Sequence, residues 1–113
     1  MWAEIQDTLS NLDLALSEAK ARGLEYSRAE AAYYSAKDRR VRELMEDGLS
    51  ATAIQMIVKG EESVNDKLQH YRDMEVLYKN ALEAILVYKK RLDVLREQYA
   101  REWSRAGMDD YEH

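Results

Sequence analysis

The stretch MEVLYKNALEAILVYKKRLDVLREQY, Met74 to Tyr99, decides the fold. Within it Met74, Tyr78, Ala81, Ile85, Tyr88, Leu92, Leu95 and Tyr99 follow one another at alternating spacings of four and three. Apolar residues that recur every 3.5 positions keep one stripe of a helix turned toward a partner, so this stretch predicts a coiled-coil seam. It specifies mechanics and no chemistry.

Upstream, a matching stripe runs through Ile5, Leu9, Leu12, Leu16 and Ala19, then Tyr26, Ala29, Tyr33, Ala36 and Leu44. Proline is absent and there are only 4 glycines, so little can stop a helix. The stripe predicts a first helix over about 3–47, ended by Gly48. Gly23 interrupts this helix and is read as a point of close packing within it; the alternative is a break into two shorter helices. Ser50 is a suitable N-cap for a short connector helix over about 50–59, which carries Ala53, Ile54, Met56, Ile57 and Val58 and is closed by Gly60. Glu61 and Glu62 then open the last helix, where acids suit the positive end of the helix dipole. Gly107 is expected to end it near residue 105, with a frayed tail over 106–113. The whole is read as a single helical domain over 1–113.

Two long helices of similar length joined by a short connector predict an all-α antiparallel hairpin, and charge offers a register. With Asp47 opposite Glu61, Asp7 faces Arg101, Asp13 faces Arg96, Glu18 faces Lys90, Glu30 faces Lys79 and Arg42 faces Asp66. The same register sets Tyr26 against Ala81 or Leu82, Ala29 against Tyr78 and Gly23 against Ile85. Exposed ion pairs contribute only about 0.2–1 kcal/mol each, so they choose a register rather than supply stability.

Residues 81–88, ALEAILVY, are apolar around nearly the whole helix circumference. Such a helix is buried on more than one face, and a lone hairpin cannot cover Leu77, Leu82, Leu86 and Val87 as well as its seam. These four residues are the expected oligomer interface. The simplest assembly is a homodimer of two hairpins forming a four-helix bundle.

Sites for chemistry are scarce. Cysteine is absent, which removes thiolate catalysis, disulfides and Cys-based metal sites. The two histidines, His70 and His113, stand in no Glu-x-x-His or His-x-x-x-His spacing. No two glycines lie close enough to form a phosphate loop. No catalytic residue, metal or cofactor is expected, and the chain does not read as an enzyme.

Charge is unevenly distributed around a formal net value of −5. Residues 1–19 hold four acids and no base, whereas residues 76–105 hold seven bases and four acids. Bases next to tyrosines, in Tyr33-Tyr34 with Lys37 to Arg42 and in Tyr88 to Arg91, suit a single-stranded nucleic acid, with cations on phosphate and rings under bases. A basic waist of Arg39, Arg40, Lys89 and Arg91 would make that contact. Against it, the chain is net acidic and the seam claims Tyr78, Tyr88 and Tyr99. A helix-turn-helix reading of residues 44–66 fails on the acids that open its reading helix. The polar faces are mixed in sign, unlike a membrane-surface helix. No run approaches the ~20 apolar residues of a membrane span, and the early acids do not suit a secretory signal, so a cytoplasmic protein is expected.

The run Val76 to Ile85, then Tyr88-Lys89 and the closing Arg101-Glu102-Trp103, resembles small helical proteins encoded by phages and prophages of Gram-positive bacteria. Glu46-Asp47-Gly48 through Lys59-Gly60-Glu61 fits the same pattern, so the resemblance covers roughly residues 40–103. It implies an accessory protein associated with recombination or replication, and carries over no catalytic residues.

Taken together, these readings predict a protein–protein interaction module, an accessory or inhibitor protein docking on a host or phage replication, recombination or defence complex. The expected docking surface is an acidic tip of Glu43, Glu46, Asp47, Glu61 and Glu62, because exposed charges without partners steer encounters. The alternative is a single-strand nucleic-acid accessory that uses the basic waist.

Overall fold

A computed structural model describes residues 1–112, with side chains through Gly107. The fold is all-α. Helix α1 spans Trp2–Glu46, α2 spans Ala51–Gly60 and α3 spans Glu62–Glu112. No helix among the described residues is long and apolar enough to cross a membrane.

The joints follow from local chemistry. After α1, Gly48 takes φ +82°, the left-handed region that a Cβ disfavours. There the Gly48 N–H donates to the Met45 carbonyl at 3.0 Å and the Leu49 N–H to the Leu44 carbonyl at 3.2 Å. This pair of bonds is the Schellman arrangement, which satisfies carbonyls that a helix end would leave open. Ser50, in extended conformation, accepts a hydrogen bond from the Ala53 N–H at 3.2 Å and so caps α2. Between α2 and α3 a single extended residue, Glu61, turns the chain, and Asn65 Nδ2 donates back to the Lys59 carbonyl at 3.0 Å.

The first helix meets expectation at Gly23, and the last departs from it at Gly107. α1 passes unbroken through Gly23, as a close-packing glycine allows. α3 does not stop at Gly107 but continues to Glu112. A lone glycine costs a helix only about 1 kcal/mol, and Gly107 has nothing beyond it, such as proline, to enforce a stop. The tail expected to fray is therefore helical as far as Glu112; His113 lies outside the described residues.

The chain divides into two compact units, each containing parts of α1 and α3. The first combines Met1–Ala19 with the chain from Asn80 onward; the second is Lys20–Lys79. The division falls where the stripe of α1 loses its large apolar residues, at Ala19, Arg22 and Gly23. In the first unit, Ile5, Leu92 and Leu95 are buried with Met1 and Leu12 against them, and Ala19, Ala81 and Ile85 form a second cluster with Leu12 and Ala15. Thr8, the one buried polar residue here, donates its hydroxyl to the Glu4 carbonyl one turn back at 2.8 Å. In the second unit all three helices meet over Leu44, Ile54, Val58 and Val64, with Tyr33 and Val41 packed on them.

Within each unit α1 and α3 pack antiparallel, but the register differs from the one the charges suggest. Gly23 faces Tyr78 rather than Ile85, one heptad away. Tyr26 meets Tyr71 and Tyr78 rather than Ala81 or Leu82, with ring centroids 5.6 and 5.7 Å apart. In the first unit Trp2 lies against Tyr99, at 5.9 Å, in the same register. A slide of one heptad leaves the same stripe facing inward, so seam position alone cannot distinguish the two registers. The expected ion pairs lose their geometry. Lys79 binds Glu75 at 3.0 Å and Arg101 binds Glu97 at 3.8 Å, each along its own helix, rather than Glu30 and Asp7. Arg40 of α1 reaches Glu61, the residue between α2 and α3, at 2.7 Å.

Candidate docking surfaces

In the second unit α2 folds back across α1 and α3. A groove of about 550 Å³ opens there. Val41, Ile54, Val58, Val64 and Leu68 form its apolar lining, and Met45 and Leu49 stand at its edge. Lys37 and Lys59 are the charged residues that line it. The buried side of α2 is also the floor of the groove, which is why the capping of that short helix matters to the site. Met45 is 62% exposed, and methionine is flexible and polarisable enough to adapt to an incoming apolar surface. An enclosed apolar trough with two cationic residues suits an amphipathic segment of another molecule.

The acidic tip is partly neutralised. Arg40 donates to Glu61 at 2.7 Å and to Glu43 at 3.1 Å, and both carboxylates in turn hold the Arg40 guanidinium more firmly protonated. Glu46 lies with Glu43, Asp38, Arg39 and Arg42 around a shallow polar hollow, a surface of mixed sign rather than an acidic one. Asp47 and Glu62 are exposed.

The basic waist does not form one surface in either unit. Arg40 is committed to the two acids, Arg39 belongs to the second unit, and Lys89 and Arg91 are exposed in the first. Of the tyrosines beside these bases, Tyr33 is engaged and Tyr34 is 49% exposed. Tyr33 packs against Tyr34 at 5.1 Å and against Tyr71 at 5.9 Å, and Tyr26 extends the same ladder. Lys37 stands 6.0 Å from the Tyr33 ring centroid, at the outer limit of a cation–π contact.

The ladder carries a polar cluster that the sequence reading did not anticipate. The Tyr26 hydroxyl donates to Glu75 Oε2 at 3.1 Å and Lys79 Nζ donates to Glu75 Oε1 at 3.0 Å, while Tyr71 stacks on the Tyr26 ring. Lys79, then Tyr26, holds the Glu75 carboxyl below its ordinary range. The neighbouring Tyr26 hydroxyl, together with burial and the Glu30 charge, pushes the Tyr71 phenol well above its ordinary value. For Tyr26 the Tyr71 hydroxyl acts downward, but Glu75, burial and Glu30 outweigh it, and the net shift is upward. Spacing offered a partial signal, since Tyr71, Glu75 and Tyr78 fall on consecutive turns of α3.

These shifts set an alkaline limit on stability. A phenol whose folded pKa lies above its unfolded 10.0 stabilises the fold fully below that pH, and the benefit is lost as pH climbs toward the folded value. The melting temperature is therefore expected to be flat up to about pH 9 and to fall progressively above about pH 10. Replacing Tyr26 and Tyr71 together by Phe should flatten this alkaline fall, read by circular dichroism across the pH series. An equally steep fall in the double variant would show that other groups set it.

Of the expected oligomer interface, Leu82 and Leu86 lie exposed on one flank of α3 in the first unit, at 41% and 61%. Val87 is exposed around the helix from them, and Leu77 belongs to the second unit at 37% exposure. Leu9 and Leu16, expected on the stripe of α1, are exposed instead, because the seam passes through the neighbouring Thr8 and Ala15; Trp2 and Trp103, which the sequence reading did not place, are exposed as well. Among the described residues no three acidic or histidine side chains converge to hold a metal ion. No known protein family, curated protein or solved structure matches the chain.

Proposed function

We propose that this chain is a non-enzymatic protein-interaction module that grips an amphipathic segment of a partner protein in the groove of its second unit. The observation that carries this reading is the groove itself: an apolar trough of about 550 Å³ that includes Lys37 and Lys59. A segment with apolar anchors one turn apart and acids on its flank complements both features. The groove replaces the acidic tip as the favoured docking surface, because Arg40 already occupies Glu43 and Glu61. The resemblance over residues 40–103 to phage accessory proteins supports the same class of role, docking on a replication, recombination or defence complex.

The test is affinity capture from bacterial lysate, with and without nuclease, using three forms of the tagged chain. The wild type and a Glu46→Lys/Glu62→Lys variant should retain the same specific protein. A Lys37→Glu/Met45→Glu variant, altered only at the groove, should retain roughly tenfold less. Equal capture by the groove variant would overturn the assignment of the groove. Material captured only while nucleic acid is intact would move the function to the single-strand alternative.

A further inference from the structure

We propose that the exposed apolar flank of the first unit is covered by a second copy of this chain, related by a two-fold axis parallel to the helices. The surface is built from one rule of helix geometry. Trp2, Leu9 and Leu16 recur at heptad spacing on α1, each one position after a seam residue. Leu82 and Trp103 hold the same place on α3, and Leu86 lies one turn from Leu82. Because the two helices run in opposite directions, residues that follow the seam in this way project to the same side of the pair. All six are exposed, from 38% at Leu9 to 72% at Trp103. Both of the chain's 2 tryptophans are among them. Exposed aromatics with aliphatics between them are the composition of an interface centre, not of a solvated face.

Charge identifies the occupant. Among the positions that follow the seam in this unit, α1 carries the acid Asp13 and no base, while α3 carries the bases Lys89 and Arg96 against one acid, Asp93. A face whose two halves differ in sign is complementary to itself in one orientation only. An axis perpendicular to the helices would set α1 on α1, acid against acid. An axis parallel to them sets α1 of one copy on α3 of the other, antiparallel, and keeps every residue at its own level along the bundle. In the observed register Leu16 lies level with Ile85, so it meets Leu82 and Leu86 of the partner subunit. Asp13 lies level with Tyr88, within reach of Lys89 of the partner subunit, and Trp2 approaches Trp103 of the partner subunit. The result is a four-helix bundle in which every adjacent pair is antiparallel. This inference concerns the first unit alone and stands or falls apart from the groove.

The test is the mass of the full chain by sedimentation equilibrium over a concentration series, with tryptophan emission read in parallel. The wild type should approach twice its 13.2 kDa at micromolar concentration, with emission shifting to the blue as dimer forms. A Leu82→Glu/Leu86→Glu variant, which changes only exposed positions, should keep its helicity and raise the dimer dissociation constant at least about a hundredfold. Asp13→Lys alone should weaken the dimer about three- to tenfold, because the contact occurs twice, and adding Lys89→Asp should restore it. A wild type that stays at monomer mass throughout would overturn the proposal and leave the face to another partner. A dimer indifferent to Leu82→Glu/Leu86→Glu, or one not restored by the charge swap, would overturn the assigned arrangement.

Discussion

Leu44→Ala is expected to lower the unfolding free energy by about 2–5 kcal/mol, the largest loss from any single truncation in the second unit. Leu44 is 4% exposed and packs with Ile54, Val58 and Val64, so it joins all three helices at their one shared cluster. Its carbonyl also accepts the Leu49 N–H in the turn that ends α1. Truncation leaves a cavity among three short aliphatic neighbours, and a ten-residue helix, α2, cannot settle into it without giving up its caps. Urea unfolding followed by circular dichroism measures the loss directly. Met45→Ala, one residue on and 62% exposed, serves as the control and should change stability by no more than about 0.5 kcal/mol. Equal effects at the two positions would mean that the cluster does not hold the tip together.

The same cluster shows what could be read from residues alone. Gly48, Ser50 and Gly60 mark α2 through backbone chemistry that acts over three or four residues, so its bounds were legible. The seam of α1 was misplaced at Leu9 and Leu16, because it passes through the small residues Thr8 and Ala15. That of α3 was legible, since a 3.5 period is a local property. Register was not. Moving α3 by one heptad against α1 leaves Tyr78, Ala81, Ile85 and Leu92 all facing inward, and the ion pairs used to choose between registers are individually weak. What decides it is the bulk of aromatic rings. Tyr26, Tyr33, Tyr71 and Tyr78 form a continuous ladder only in the observed register, and each ring contact adds about 0.5–1.5 kcal/mol beyond its buried area. The candidate site suffered from the same long-range blindness. The expected acidic tip assumed that Glu43 and Glu61 were unpaired; the Arg40–Glu43 pair, three residues apart on α1, was within reach of spacing, but the contact of Arg40 with Glu61 was not. The groove arises where α2 crosses the other two helices, and no spacing within one helix announces it. By contrast, the excess of apolar residues over 81–88 was legible, because too many large side chains for one seam is a matter of counting.

Gly23 tests the register most sharply, because its one missing methyl group is the space that the Tyr78 ring occupies. A Cβ built on Gly23 would stand 3.2 Å from Tyr78 Cε1 and 3.5 Å from its Cζ. Two effects oppose each other in Gly23→Ala. Alanine favours the helix by about 1 kcal/mol, and the ring must yield by a few tenths of an ångström. Tyr78 packs on Tyr26, which stacks on Tyr71, so the ring has little freedom to swing away. Gly23→Ala is therefore expected to be close to neutral. Gly23→Leu has no such balance: its branched side chain must part the two helices, at a cost of about 1–3 kcal/mol. A double-mutant cycle isolates the cause, since Tyr78→Ala removes the ring and should relieve most of the added cost of leucine. In the register suggested by charge, Gly23 would face Ile85 instead, and the relief would come from Ile85→Ala. Which of the two truncations rescues Gly23→Leu in thermal melts thus reads out the pairing of α1 with α3 at this glycine.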